Sequence, residues 1–253
     1  MATTDRQATL SGEGSGSPTT STISGARGKN FVEATLGWTG FGAVGFFGVG
    51  LLVSGNLPPL SPNLTAEQTK SQLLEHALGY KFAGVFMLLA LMCFMTLYAG
   101  IAMQIKRMGG PNAQRLSTVQ VLLGGLSLVP LYLTALLFAL SVYRPERSAE
   151  AIQSLSDLAW FALVMPVTPA LAQMFAIGFA TLGDTRANPI YPRWYGYGTF
   201  WVGGLLMAGL TVPFFLTGPL AWNGAFAFWM PAFVLCNFCV ATSVLMIKAS
   251  KNP

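Results

Sequence analysis

The sequence predicts an all-α integral membrane protein. The expected architecture is a bundle of six transmembrane helices, with both termini cytoplasmic and short amphipathic helices in the outer loops. Three observations carry this prediction. The chain is 53% hydrophobic and only 9% charged, whereas soluble domains carry roughly 25% charged residues. It contains six apolar stretches of about the length needed to cross the hydrocarbon core. Its basic residues are also distributed unevenly between the two sides that those stretches define.

The elements follow in chain order. Residues 1–30, rich in Ser, Thr and Gly and without an aromatic residue, cannot bury enough surface to offset the entropy of ordering. They predict a disordered cytoplasmic tail ahead of a transmembrane domain at 31–253. No apolar segment follows a short basic start, so this is not the pattern of a signal peptide. The apolar stretches cover roughly 34–54, 80–104, 118–142, 158–182, 196–217 and 225–247, and backbone groups that meet lipid must pair within a helix. The first is lined by glycines at 37, 40, 42, 45, 48 and 50, which suits close helix contact. The fourth carries Pro166 and Pro169, each lacking a backbone donor, so a strong bend is expected there. Kinked helices of this kind can enclose a pocket. The fifth is the least regular, rich in Gly and opened by an aromatic cluster.

Two outer segments predict additional helices. In "NLPPLSPNLTAEQTKSQLLEHAL", a proline-rich turn precedes Thr65, and Gln68 three residues later completes a capping box. Leu73, Leu74, Ala77 and Leu78 form the apolar side. In "RPERSAEAIQSLSDLAW", Ser148 is the expected N-cap and Glu150 occupies the first turn, where a carboxylate suits the helix dipole. Arg147, Glu150, Ser154 and Asp157 form a polar stripe, with Arg147 and Glu150 able to pair. The helix should run on into the fourth span. "TGPLAWNGAFAFWMP" holds the turn dipeptides Gly218-Pro219 and Asn223-Gly224, which predict a tight hairpin.

Orientation follows from charge. Of the 14 Lys and Arg residues, only Lys70, Lys81, Arg144 and Arg147 fall on the outer side when the tail is placed inside. An even number of spans with both ends in the cytoplasm satisfies this bias, as expected for a bacterial inner or plasma membrane. Trp38, Tyr143, Trp160, Trp194 and Trp222 fall near the predicted interfaces, where aromatic rings act as anchors. The basic balance, with a pI of about 9.3, reflects loop bias rather than nucleic-acid binding, because no Lys/Arg run is dense enough to grip a phosphate backbone.

Chemistry is sparsely encoded. Cys93, Cys236 and Cys239 lie inside apolar runs and there is one histidine, His76. That is no metal-ligand set, and neither a metal nor a cofactor is expected. No acidic or basic residue lies well inside any predicted span, which argues against an ion-coupled transporter. The mid-span polar residues Gln120, Ser127, Thr134, Gln173, Thr211 and Asn237 are expected to link helices. The candidate ligand-binding residues are therefore on the outer side: His76, Arg144, Glu146, Asp157, Trp160, Trp222 and Asn223. Asp157 and Trp160 share a helix face, a pairing suited to a cationic or hydroxylated group.

The stretches "PPLSPNLTAEQ", "RPERSAEAIQSLSDLAW", "YPRWYGYGTFWV" and "FFLTGPLAWNGAFAFWMP" resemble a group of polytopic membrane proteins of actinobacteria, over residues 55–231. The resemblance implies a six-span topology and a bacterial host, and it carries no chemistry.

Three readings of function stay open on the sequence. The first is a non-catalytic protein that binds a small apolar molecule or lipid, or helps it pass, through an outward-facing pocket. The second is a structural or accessory subunit, partnered by another membrane protein or by copies of itself. The third is an interfacial enzyme using Asp157, Glu146 or His76 as acid or base. The scarcity of reactive groups favours a non-catalytic protein.

Overall fold

The computed structural model describes the backbone of residues 20–251 and side chains from residue 32 onward. Most of the expected tail lies outside these residues, its last turns entering the first helix. Eight α-helices follow in order: α1 Thr20–Val53, α2 Ala66–Glu75, α3 Ala77–Arg107, α4 Ala113–Ser141, α5 Ala149–Val164, α6 Thr168–Leu182, α7 Arg193–Leu206 and α8 Met230–Lys251. Six helical stretches of the described residues are long and apolar enough to cross a membrane, with α5 and α6 together forming the fourth.

The helices form a bundle in which α3 packs on α1 and α4, α4 also on α5 and α6, α6 on α7, and α1 on α8. Small residues allow the closest approaches. A methyl group at Gly37 would come within 2.7 Å of Ile247 Cγ1, and one at Gly40 would collide with Ser243 Oγ. The middle of α1 therefore lies against the end of α8, so the ends of the described chain share one side of the bundle. The opposite face carries α2 and the start of α5.

Local signals set the helix ends. Thr65 caps α2 through a bond accepted from Gln68 N–H, and the Gln68 side chain accepts from Thr65 N–H, the expected capping box. Ser148 accepts from Ala151 N–H at the start of α5. The fourth span breaks at Met165–Val167, around Pro166 and just ahead of Pro169, as a missing donor and a ring clash require. The fifth span departs from a simple helix. After Leu206 it tightens into a 3₁₀ segment, Met207–Phe214, that contains Pro213, and the last span opens with a π turn, Ala225–Trp229. Between them Gly218 adopts φ +87°, a conformation that favours glycine.

Three expectations about side chains are corrected. Trp160 and Trp222 are not interface anchors. Trp160 is fully buried between Phe138 and Phe228 in edge-on ring contacts, and Trp222 is buried against Phe161. Trp38, Tyr143 and Trp194 are exposed, as an anchoring role requires. Arg147 does not pair with Glu150. Its guanidinium donates to Leu140 O at 3.1 Å, while its own carbonyl accepts from Lys70 Nζ at 2.7 Å. Ala77 and Leu78 belong to α3 rather than α2, and Leu78 is exposed.

Candidate binding cavity

The bundle holds a partly open central cavity of about 300 Å³, at the lower end of the size range of small-molecule sites. Its origin can be traced to sequence. On α1, Val44, Gly48 and Leu51 line it, continuing the helix face that carries Gly37 and Gly40. On α8, Cys239, Cys236 and Ala232 line it, continuing the face that carries Ile247 and Ser243. The two helices touch near the chain ends and part beyond Gly40. At Gly48, on the same face, an added methyl group would meet nothing within 4 Å. Pro130 of α4 and Pro166 at the α5–α6 break also line the space, so the break in the fourth span borders it. Leu57, from the proline-rich segment, closes it toward the α2 face.

The lining is almost wholly apolar. No charged side chain reaches it, and the polar side chains among its lining residues are Tyr98, Ser127, the Trp229 indole and the two thiols. Such a surface accommodates an uncharged, hydrocarbon-rich molecule, because a charge taken into it would lose its hydration without a partner. Cys236 is exposed as well as cavity-lining, whereas Cys239 is buried. The α1–α8 seam thus faces the surroundings of the bundle on this half of the molecule.

A second cavity of about 350 Å³ lies on the α2 face. Its lining includes Asn56, Tyr80, Gln72, Glu75 and His76. Tyr80 donates to Asn56 Oδ1 at 2.9 Å, and Asn56 Nδ2 donates to Ser54 Oγ at 3.0 Å. This buried chain fixes the turn after α1 on α3. Gly55, at φ +71°, lies directly under the His76 ring.

The outer candidate residues are dispersed. His76 lines the second cavity and is exposed; Arg144 and Glu146 are exposed in the α4–α5 turn. Asp157 is half-buried on α5 and has neither a hydrogen bond nor an ion pair among the described residues. Trp160 lies in the aromatic core with its indole N–H unpartnered. Trp222 donates to Leu60 O at 2.8 Å, and Asn223 is half-buried beside it. None of the seven lines the central cavity. Trp222, together with Gln153 donating to Leu64 O at 3.0 Å, instead ties the proline-rich segment to the bundle. Of the mid-span polar residues, Thr134 links α4 to Ala159 O at 3.1 Å and Thr211 reaches Leu220 O at 3.3 Å. Ser127 and Asn237 bond within their own helices, and the buried carboxamides of Gln120 and Gln173 have no partner among the described residues.

One charged cluster escaped the sequence reading. At the face carrying the chain ends, Glu33 is buried and pairs with Arg107 at 2.6 Å, with Gln104 Nε2 at 3.4 Å. Beside it, the Asp184 carboxylate accepts from the Arg186 guanidinium and from the N–H groups of Gly109, Arg186 and Ile190. Burial pushes this carboxyl upward, but the Arg186 side chain and the backbone donors outweigh it and hold it below the usual range. These bonds clamp two loops together at the ends of α3 and α6. Among the described residues no group of three or more His, Cys, Asp or Glu side chains is placed to hold a metal ion.

Comparison with protein families, with curated proteins and with solved structures finds no match to this chain.

Proposed function

We propose that this integral membrane protein binds a small apolar molecule or a lipid chain in the central cavity, taking it in sideways from the bilayer between α1 and α8. The observation that carries the reading is the parting of these two helices. The same faces that touch at Gly37–Ile247 line the cavity at Gly48 and Cys236. A ligand already dissolved in the membrane then needs no aqueous path. The positive-inside bias supports a reading with both chain ends in the cytoplasm, in which α2 and the second cavity face the outer side of a bacterial plasma membrane. Passage of the ligand toward that side would have to cross the segment around Leu57.

Photolabelling tests the binding step. A lipid carrying an aliphatic diazirine on its acyl chain is incorporated into nanodiscs with the protein and activated, and adducts are mapped. Occupancy predicts labelling of cavity residues such as Leu163 and Leu131, and its loss in Gly48→Leu, which fills the space from a position with room for a side chain. Adducts confined to outward-facing residues such as Phe214 and Phe233 would remove the proposal.

A further inference from the structure

The second cavity, of about 350 Å³, is polar where the central one is apolar. It lies where the end of α1 and its following turn, the end of α2 and the start of α3 meet. One wall is held by side-chain bonds. Tyr80 donates to Asn56 Oδ1 at 2.9 Å, Asn56 Nδ2 to Ser54 Oγ at 3.0 Å, and Ser54 Oγ to the carbonyls of Gly50 and Leu51, each at 3.0 Å. All three side chains are buried. The His76 ring rests on Gly55, where an added methyl group would come within 2.9 Å of its Cδ2. Two features make this space negative. Of the Asp, Glu, Lys and Arg residues, Glu75 alone lines it, and the Glu75 carboxylate has neither a hydrogen bond nor an ion pair among the described residues. The carbonyl end of α2 also lies here: Gln72 and Glu75 belong to its last turn, His76 is its C-cap, and that turn holds no basic residue. A helix C-terminus carries partial negative charge and favours a cation. The neighbouring lysines do not supply one. Lys70 Nζ donates to Arg147 O at 2.7 Å, and Lys81 is exposed on α3 and is not among the lining residues.

We infer that the second cavity binds a small polar group carrying an ammonium beside a hydroxyl, of the amino-alcohol class. The ammonium sits against Glu75 and the end of α2, where its N–H groups meet a carboxylate and partial negative charge. The hydroxyl finds neutral partners that both donate and accept: the Gln72 carboxamide, the Ser61 hydroxyl and the Asn56 amide, which has one proton beyond the bond to Ser54. An anion would bring a second negative charge beside Glu75. A neutral diol would leave the carboxylate and the helix end without a counter-charge. A free solute and the ethanolamine head group of a phospholipid offer the same chemistry. The site does not depend on occupancy of the central cavity.

The chain has a single histidine, and it lines this cavity, so isotope labelling of histidine in a tag-free chain gives one imidazole signal that reports on the site. The chain is placed in phosphatidylcholine nanodiscs and titrated with ethanolamine, ethylene glycol and glycolate at one slightly alkaline pH and constant ionic strength. These probes are similar in size and differ in charge. Ethanolamine should shift the His76 signal saturably, with an affinity about tenfold above that of ethylene glycol, as one charge-assisted hydrogen bond provides. Glycolate should give no saturable shift. Glu75 is exposed, so Glu75→Gln should leave the fold intact and bring ethanolamine down to the level of ethylene glycol. Glu67→Gln, at the other end of α2 and also exposed, should change nothing. In nanodiscs containing phosphatidylethanolamine, loss of the ethanolamine response assigns the site to the lipid head group, and an unchanged response assigns it to a free solute. Equal responses to the three probes, no saturable response to ethanolamine in phosphatidylcholine, or a preference that survives Glu75→Gln would overturn the inference.

Discussion

Arg107→Leu should be markedly more damaging than Glu33→Gln, although both break the same ion pair. The Glu33 side chain is 4% exposed and that of Arg107 is 27% exposed. Replacing the arginine strands a carboxylate whose remaining hydrogen-bond partner among the described residues is Gln104, and breaking a buried pair by removing one partner costs about 3–5 kcal/mol. Partial access of water to this pair places the expectation toward the lower end, at about 3 kcal/mol. Glu33→Gln leaves a guanidinium that reaches water and a neutral amide that can still accept from it, so about 1 kcal/mol is expected. Removing both charges with Glu33→Leu and Arg107→Leu should recover most of the larger loss, since an apolar replacement of a buried pair is often close to neutral. Equilibrium unfolding in mixed micelles, followed by far-ultraviolet circular dichroism, measures all four chains. Equal losses for the two single variants, or a double variant as unstable as their sum, would refute the assignment of Glu33 as a buried carboxylate held by Arg107.

Three further outcomes are expected. Gly79→Ala should destabilise the fold by about 3 kcal/mol, because the new methyl group would collide with the Val53 carbonyl oxygen; Gly45→Ala, which meets nothing within 4 Å, should be neutral or stabilising by up to about 1 kcal/mol in the same unfolding assay. The Asp184 clamp should weaken as pH falls: its folded pKa is depressed, so its contribution is complete above the unfolded carboxylate value near ~3.9 and disappears as pH drops through the lower folded value. Amide exchange at Gly109 and Ile190, corrected for the intrinsic pH effect, should show that loss in the native chain and not in Asp184→Asn. With the native thiols replaced, single cysteines at Gln68 and Glu150 should react with an impermeant maleimide from outside the cell and one at Gln114 should not; the reverse pattern would invert the orientation.

Legibility in the sequence followed range. The capping box at Thr65–Gln68 and the cap at Ser148 involve residues three apart, and both were readable because the donor and acceptor are close in the chain. The break in the fourth span was readable for the same reason, since proline acts on its own helix. The irregular fifth span was harder, because Pro213 and the glycines before it allow either a kinked helix or the 3₁₀ segment that forms. Burial of individual side chains was not readable. Trp160 and Trp222 lie near the ends of apolar stretches in the sequence, but that position does not say whether a ring faces lipid or neighbouring helices; the bond from Trp222 to Leu60 O spans 162 positions. The pairing of Glu33 with Arg107 spans 74 and joins the interior of α1 to the end of α3, so nothing local in the chain marks it. The prolines indicated that a cavity could form. Its position depends on which faces of α1 and α8 part company, and only tertiary contact reveals that. The outer residues proposed for binding stand out in sequence because they are polar, whereas the central cavity is built from residues too ordinary to attract notice.

The most direct measurement is native mass spectrometry of the chain released from nanodiscs assembled with its own host membrane, with Gly48→Leu run in parallel. The native chain should carry one discrete adduct of an uncharged, hydrocarbon-rich molecule, and Gly48→Leu should lack it while unfolding no more readily than the native chain. A native chain without any adduct, or the same adduct on both chains, would contradict the account.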